Sequence, residues 1–332
     1  MAPDVPKPPF DPEIHALVGD SMKDYFRPGG LQPLRDMIEN LCTLESVTDG
    51  TVFTHAERSV PSPDGPGAAP ITVSVFTPRT GEAGNRPCIF FMHSGGVVIG
   101  NRFTSFKDSL DWGETTNAVV VTTEYRLAPE HPYPAGLNDC WAAFNWIHDN
   151  AADLGIDATR VAVTGQSAGA LMATAVTMMA KEKGGPKIAA LLIDTGMMDD
   201  RGVTNSAEQF NEATVTLDRI SNDTCWDAHL GKLVRGSGDV PPYAAPNRAT
   251  DLSGFPPTYV DCGGSEFARD DNIDFARKLM KCGVETELHV WTGAPHGFTQ
   301  MAPEASLSRE ARRMRGNWLK RILVERPQLS QS

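Results

Sequence analysis

The sequence predicts an α/β fold, with a mostly parallel central sheet flanked by helices and a helical cap. Two observations make the prediction. Short runs rich in β-branched residues recur with helix-forming stretches between them, the pattern of a sheet covered on both faces. Residues 1–48 and a polar stretch at about 199–250 stand outside that alternation. They are expected to form the cap, the first as an N-terminal part and the second as an insertion in a main domain spanning 49–332.

Strands are expected at 71–77, 87–93, 118–123, 160–164, 188–194, 257–262 and 285–291, where Val, Ile and aromatic residues cluster between turn formers. Helices are expected at 135–150, 167–183, 270–282 and 306–324, the last with a mixed basic and apolar face. Asp11-Pro12-Glu13 reads as a helix opening inside the N-terminal segment. The later segment mixes helix-forming patches with Gly236, Gly238, Pro241 and Pro242, which break regular structure. A gap of that length in a compact domain is more often functional or structured than idle, which favours a lid over a site.

Composition narrows the classes. At 332 residues one large core suffices, and 40% hydrophobic with 22% charged residues is ordinary globular content. The balance of 30 Lys+Arg against 42 Asp+Glu gives a net charge of −12, which repels phosphate backbones and anionic lipids. Nucleic acid and membrane are therefore not expected as partners, and a cytoplasmic location is expected from the lack of a long apolar run or secretion signal. The six cysteines, Cys42, Cys88, Cys140, Cys225, Cys262 and Cys282, show no C-x-x-C spacing, so reduced core thiols are expected and neither a zinc site nor a dense disulfide framework; no cofactor is expected.

Gly165-Gln166-Ser167-Ala168-Gly169 follows an expected strand and opens an expected helix, the context in which G-x-S-x-G presents a nucleophile. Small residues at both ends let strand and helix pack around a strained turn. The helix that follows aims its N-terminal amides at any charge developing there.

A serine hydroxyl needs a base, and that base needs an orienting partner. His296, in Ala294-Pro295-His296-Gly297-Phe298, lies in a turn after the last expected strand and is the expected base. His289 sits inside the alternating strand pattern instead. The required order of serine, acid and histidine removes His15, His55, His93, His131 and His148, which precede Ser167, and His229, which precedes the candidate acids. Among those acids, Asp261 lies within an apolar strand, and Asp270 and Asp271 read as the cap and first turn of a helix. Glu266, in the loop, is the expected orienting carboxylate, with Asp270 the alternative. Gly95 and Gly96 in His93-Ser94-Gly95-Gly96, together with Ala168, offer backbone amides for an oxyanion hole.

Taken together, these blocks resemble the hormone-sensitive-lipase-like branch of α/β-hydrolases. His93-Ser94-Gly95-Gly96 is similar to the family's H-G-G-G, Tyr125-Arg126-Leu127-Ala128-Pro129-Glu130 repeats its Y-R-L-A-P-E, and Gly165 to Gly169 matches its G-x-S-A-G. Met197-Met198-Asp199-Asp200-Arg201, Glu266 to Asp271 and Pro295-His296-Gly297-Phe298 extend the likeness over roughly 87–321. The resemblance implies a Ser/acid/His carboxylesterase with an oxyanion hole at Gly95, Gly96 and Ala168, no metal, and a helical cap. Two positions depart from the family: Ser94 stands where a glycine is usual, and Glu266 where many members carry aspartate.

The expected activity is hydrolysis of small to medium acyl esters through an acyl-enzyme. A lactonase, a deacetylase or an acyl-transfer or elimination enzyme would use the same groups, and a small-molecule receptor on a hydrolase scaffold would not need a complete set. The expected partner is a small ester or lactone; an exposed edge strand could support a homodimer.

Overall fold

The computed structural model describes residues 5–19, 26–27, 29–211 and 217–326. Parts of both segments expected to form the cap (1–4, 20–25, 28 and 212–216), and the last six residues of the main domain, lie outside the described residues.

Eight strands form one sheet: β1 (Phe53–Val60), β2 (Ile71–Pro78), β3 (Arg86–Met92), β4 (Val119–Thr123), β5 (Ile156–Gln166), β6 (Ala190–Asp194), β7 (Thr258–Gly263) and β8 (Thr286–Trp291). Their order is β1-β2-β4-β3-β5-β6-β7-β8. β2 pairs antiparallel with both β1 and β4, and every other pairing is parallel.

The central strands are apolar at successive positions because both faces are covered, and alternation assigns each side chain to a layer. Cys88, Phe90 and Met92 of β3 point into one core with the helices Ala135–Asp149, Ala168–Lys183 and Arg269–Lys281. Ile89 and Phe91 point the other way, against Leu110 and Trp112 of the helix Lys107–Thr116 and Trp318 and Leu319 of the helix Ser306–Lys320.

Two of the longer main-domain elements were not expected from the sequence. In β1 only the terminal Phe53 and Val60 are buried, and the polar interior of this edge strand carries no strand-like apolar pattern. The helix Lys107–Thr116 is mostly polar in sequence, yet Gly113 lets it approach so closely that a Cβ there would lie 2.4 Å from a methyl of Val120. β5 begins at Ile156, four residues before the expected start, and the expected helix at 306–324 ends at Lys320 and continues as a wider turn over Arg321–Glu325.

Outside the sheet, Asp11 caps the helix Pro12–Val18 by accepting from the Ile14 amide at 3.0 Å, and the helix Leu31–Leu41 follows. The later segment contains the helices Asn205–Gln209 and Arg219–Leu230. Arg27 joins the two segments through Asp218, with contacts of 3.0 and 2.6 Å, and reaches Ser221 at 2.8 Å. None of the helices formed by the described residues is long and apolar enough to cross a membrane.

Candidate active site

The turn between β5 and the helix Ala168–Lys183 is held by contacts that admit no extra atom. A Cβ on Gly165 would lie 2.3 Å from the backbone carbon of Gly169, and one on Gly169 would lie 1.9 Å from the carbonyl oxygen of Met92. These approaches force Ser167 into a left-handed conformation, φ 55° and ψ −115°, which a non-glycine residue adopts only when its surroundings impose it. The Ser167 amide donates to the Asp194 carbonyl at 2.9 Å, tying the turn to the end of β6.

The loops after β7 and β8 are stitched to each other. Gly264 and Ser265 donate to the carbonyls of Trp291 and Ala294 at 2.7 and 3.0 Å, and a Cβ on Gly263 would lie 2.2 Å from the Ala294 carbonyl oxygen. That contact brings Glu266 to His296. One Glu266 oxygen accepts from the Gly263 amide at 2.6 Å and the other is 2.5 Å from His296 Nδ1. His296 Nε2 lies 3.0 Å from Ser167 Oγ. A carboxylate facing Nδ1 keeps the proton there and leaves the Nε2 lone pair toward the hydroxyl.

The competing residues are engaged elsewhere. Asp270 accepts from the Ser206 amide and Arg269 Nε at 2.9 and 2.8 Å, and Asp261 accepts from Arg315 Nε and Trp291 Nε1, both at 2.9 Å. His289 pairs with Glu287 at 3.1 Å and stacks between Tyr259 and Trp291.

Gly95 and Gly96 turn sharply at the end of β3, with φ of 120° and 61°. A Cβ on Gly95 would lie 2.1 Å from the Ile99 carbonyl oxygen, and one on Gly96 would lie 2.3 Å from the Cys225 sulfur. Ala168 opens its helix, so its amide belongs to the unpaired first turn. Ser94 adds a hydroxyl beside this loop, 2.7 Å from that of Ser105. His93 underpins it by stacking on Tyr125 at 4.0 Å, while the Tyr125 hydroxyl donates to the His93 carbonyl at 2.8 Å.

Ser167, His296, Gly95 and Gly96 all face one cavity of about 290 Å³. Phe26, Ile38, Leu217, Cys225 and Trp226, from the two segments outside the sheet, line its other wall. A pocket of this size is close to what a small organic substrate fills.

Several groups here had no signal in the sequence. Behind the nucleophile turn, Arg315 is fully buried and grips Asp194 with two contacts of 2.7 and 2.8 Å as well as Asp261. Gln166 donates to Asp194 at 2.9 Å and to Gln300, and both glutamines line the cavity. Burial pushes Asp194 up against the pull of Arg315, and pushes the neighbouring Asp108 up to about 6. Apolar sequence neighbours hint that Asp194, ending Leu191-Leu192-Ile193, is buried; the pattern of the C-terminal helix gives no warning that Arg315 is.

Residues 89–300 match the model of a family described as alpha/beta hydrolase fold. Carboxylesterase NlhH of Mycobacterium tuberculosis is 31% identical over 310 residues, covering 93% of this chain and 95% of that protein. Esterase LipI of the same organism is 33% identical over 250 residues, covering 75% of this chain and 77% of its own. Among solved structures, a bacterial heroin esterase superposes with a TM-score of 0.87 at 31% identity, covering 95% of this chain and 98% of that one. Esterase LipW from Mycobacterium marinum gives 0.85 at 30% identity, covering 96% and 99%. With the sheet order and the matched length in agreement, this chain belongs to the hormone-sensitive-lipase-like carboxylesterases of the α/β-hydrolase fold.

Proposed function

We propose that the protein hydrolyses small to medium carboxylic esters with Ser167 as nucleophile, His296 as general base and acid, and Glu266 as the carboxylate that orients the histidine. The observation that carries this reading is the unbroken chain Glu266, His296, Ser167, with contacts of 2.5 and 3.0 Å. Ser167 Oγ attacks the ester carbonyl as Nε2 takes its proton. The imidazolium is stabilised by Glu266, and the amides of Gly95, Gly96 and Ala168 receive the oxyanion. Collapse of the tetrahedral intermediate passes the Nε2 proton to the leaving alcohol. A water molecule, deprotonated by the same nitrogen, then releases the acid and restores the serine.

The same reading takes residues 1–48 and about 199–250 as a cap that closes the alcohol or acyl chain against the sheet; the cavity-lining side chains of Phe26, Ile38, Leu217 and Trp226 support it. It also takes the enzyme to be cytoplasmic, which six unpaired cysteines favour.

The test is turnover of a p-nitrophenyl ester series from acetate to laurate by the wild type and Ser167→Ala, with a fluorophosphonate probe mapped by mass spectrometry. Turnover is expected to be strongest at the short end, to fall by at least about a thousandfold in the variant, and to coincide with label on Ser167. Turnover retained in the variant, or label on another residue, overturns the assignment.

A further inference from the structure

The helix Arg269–Lys281 begins with two adjacent carboxylates that fare differently. Asp270 is used by the structure, accepting from Ser206 and Arg269. Asp271 lines the cavity that holds Ser167 and His296, is 3% exposed, and leaves its Oδ1 with no hydrogen-bond partner among the described residues. A buried polar atom without a partner is costly, so one on a residue that lines the cavity points to a partner that arrives with the substrate.

The chemistry of that partner can be read from the surrounding wall. Among the described residues Asp199 is the only other carboxylate lining the cavity, and it is already matched by Arg201 at 2.7 and 2.5 Å. No lysine or arginine lines the cavity among the described residues, and His296 is its only basic side chain. Phe26 and Trp226 present aromatic walls, surfaces that favour a cation. An anionic substrate would find no lysine or arginine among the described lining residues to balance its charge, whereas an ammonium would find one carboxylate oxygen unclaimed.

We propose that Asp271 is a specificity-determining residue that selects esters carrying an ammonium group, with Oδ1 accepting its N–H. The proposal rests on the esterase reading and adds the substrate class to it. Burial, with Asp199 close by, holds the Asp271 carboxyl well above the ordinary carboxylate range, so it keeps a proton when no cation is present. The entering ammonium takes the place of that proton as the counter-charge. Asp271 therefore carries no buried charge in the empty pocket, releasing its proton to water and gaining its full charge only against a cation.

The experiment compares two isosteric ester pairs by pH-stat, one with the amine on each side of the ester. These are 3-(dimethylamino)propyl acetate against 4-methylpentyl acetate, and methyl 4-(dimethylamino)butanoate against methyl 5-methylhexanoate. Near neutral pH both amines are protonated. In the wild type the amine ester of at least one pair is expected to show kcat/KM about tenfold or more above its neutral partner, the size of one hydrogen bond to a charged group. In Asp271→Asn that ratio is expected to fall to near one, with folding checked by thermal denaturation. If the variant fails to fold, the wild-type ratios alone decide. Turnover of the neutral esters with no amine preference in either pair overturns the role of Asp271 and leaves the esterase reading standing. An amine preference that persists in folded Asp271→Asn also overturns the assignment. No turnover of any of the four esters overturns both.

Discussion

The two walls of the cavity are built on opposite plans. The wall that carries Ser167, Glu266 and His296 hangs from the ends of β5, β7 and β8 and is fixed by backbone contacts. Gly165, Gly169 and Gly263 sit so tightly that a Cβ would lie 1.9 to 2.3 Å from backbone atoms. The facing wall comes from two segments outside the sheet, uses side chains such as Phe26, Ile38 and Trp226, and is joined across by Arg27 and Asp218. Backbone-limited geometry tolerates no adjustment, while side-chain walls can repack. On the proposed function, the difference separates the part of the protein that sets the reaction from the part that sets the substrate.

The comparison is broken most severely by Glu266→Gln. The glutamine oxygen can keep the Gly263 amide bond, which turns its NH2 toward His296 and makes Nδ1 an acceptor. Nε2 then carries the proton and cannot accept one from Ser167. A kcat decrease of about 10³- to 10⁴-fold with little change in KM is expected, measured on p-nitrophenyl acetate. The next largest effect is expected from Arg315→Met, which leaves Asp194 and Asp261 buried without their cation. A loss of about 3–5 kcal/mol in denaturant unfolding is expected. Because the Asp194 carbonyl holds the Ser167 amide, kcat is expected to fall together with stability.

The fixed wall was legible in the sequence because its constraints are local and chemically specific. Gly165 to Gly169 after an apolar strand, and Gly95-Gly96 after another, can each be read within a few residues. The expected orienting carboxylate was narrowed to Glu266 with Asp270 open; in the structure Glu266 faces His296 while Asp270 accepts from Ser206 and Arg269. Arg315 could not be foreseen, since an arginine in Ala311-Arg312-Arg313-Met314-Arg315 looks like its solvated neighbours until tertiary packing buries it. The strand β1 escaped notice for the opposite reason: its interior is polar because the edge faces water. The side-chain wall carried only a negative signal, a long interruption between strands. Asp271 was read as a first-turn helix acid, which its position supports, and only the fold shows that its side chain meets the cavity.

A smaller effect belongs to the charge behind the nucleophile turn. Burial raises Asp108 to about 6, above the ordinary carboxyl value, so the folded protein holds a proton there that the unfolded chain has released. The associated stability is fully present below the unfolded value near 4 and is lost as pH rises through 6. Asp108→Asn cannot ionise, so its stability relative to wild type is expected to improve by roughly 1–1.5 kcal/mol between pH 5 and pH 8. Parallel urea titrations of both proteins at the two pH values measure the difference. An unchanged gap would mean that Arg312 and Arg315 hold Asp108 ionised throughout.

The smallest stability effect is expected on the other wall, where it sharpens the contrast. Arg27→Met removes the contacts of 3.0 and 2.6 Å to Asp218, but Asp218 keeps the Ser221 amide at 2.8 Å and still caps the helix Arg219–Leu230. The loss is therefore expected to be about 1 kcal/mol, the range of a partly exposed ion pair with one partner still hydrogen-bonded. The chain Glu266, His296, Ser167 shares no atom with Arg27, so kcat on p-nitrophenyl acetate is expected to stay within about twofold. KM is expected to rise severalfold and to rise further for longer acyl chains, which depend more on the side-chain wall. A loss confined to kcat would mean that the joined segments set the geometry of the reacting groups themselves, and the division between the two walls would not hold.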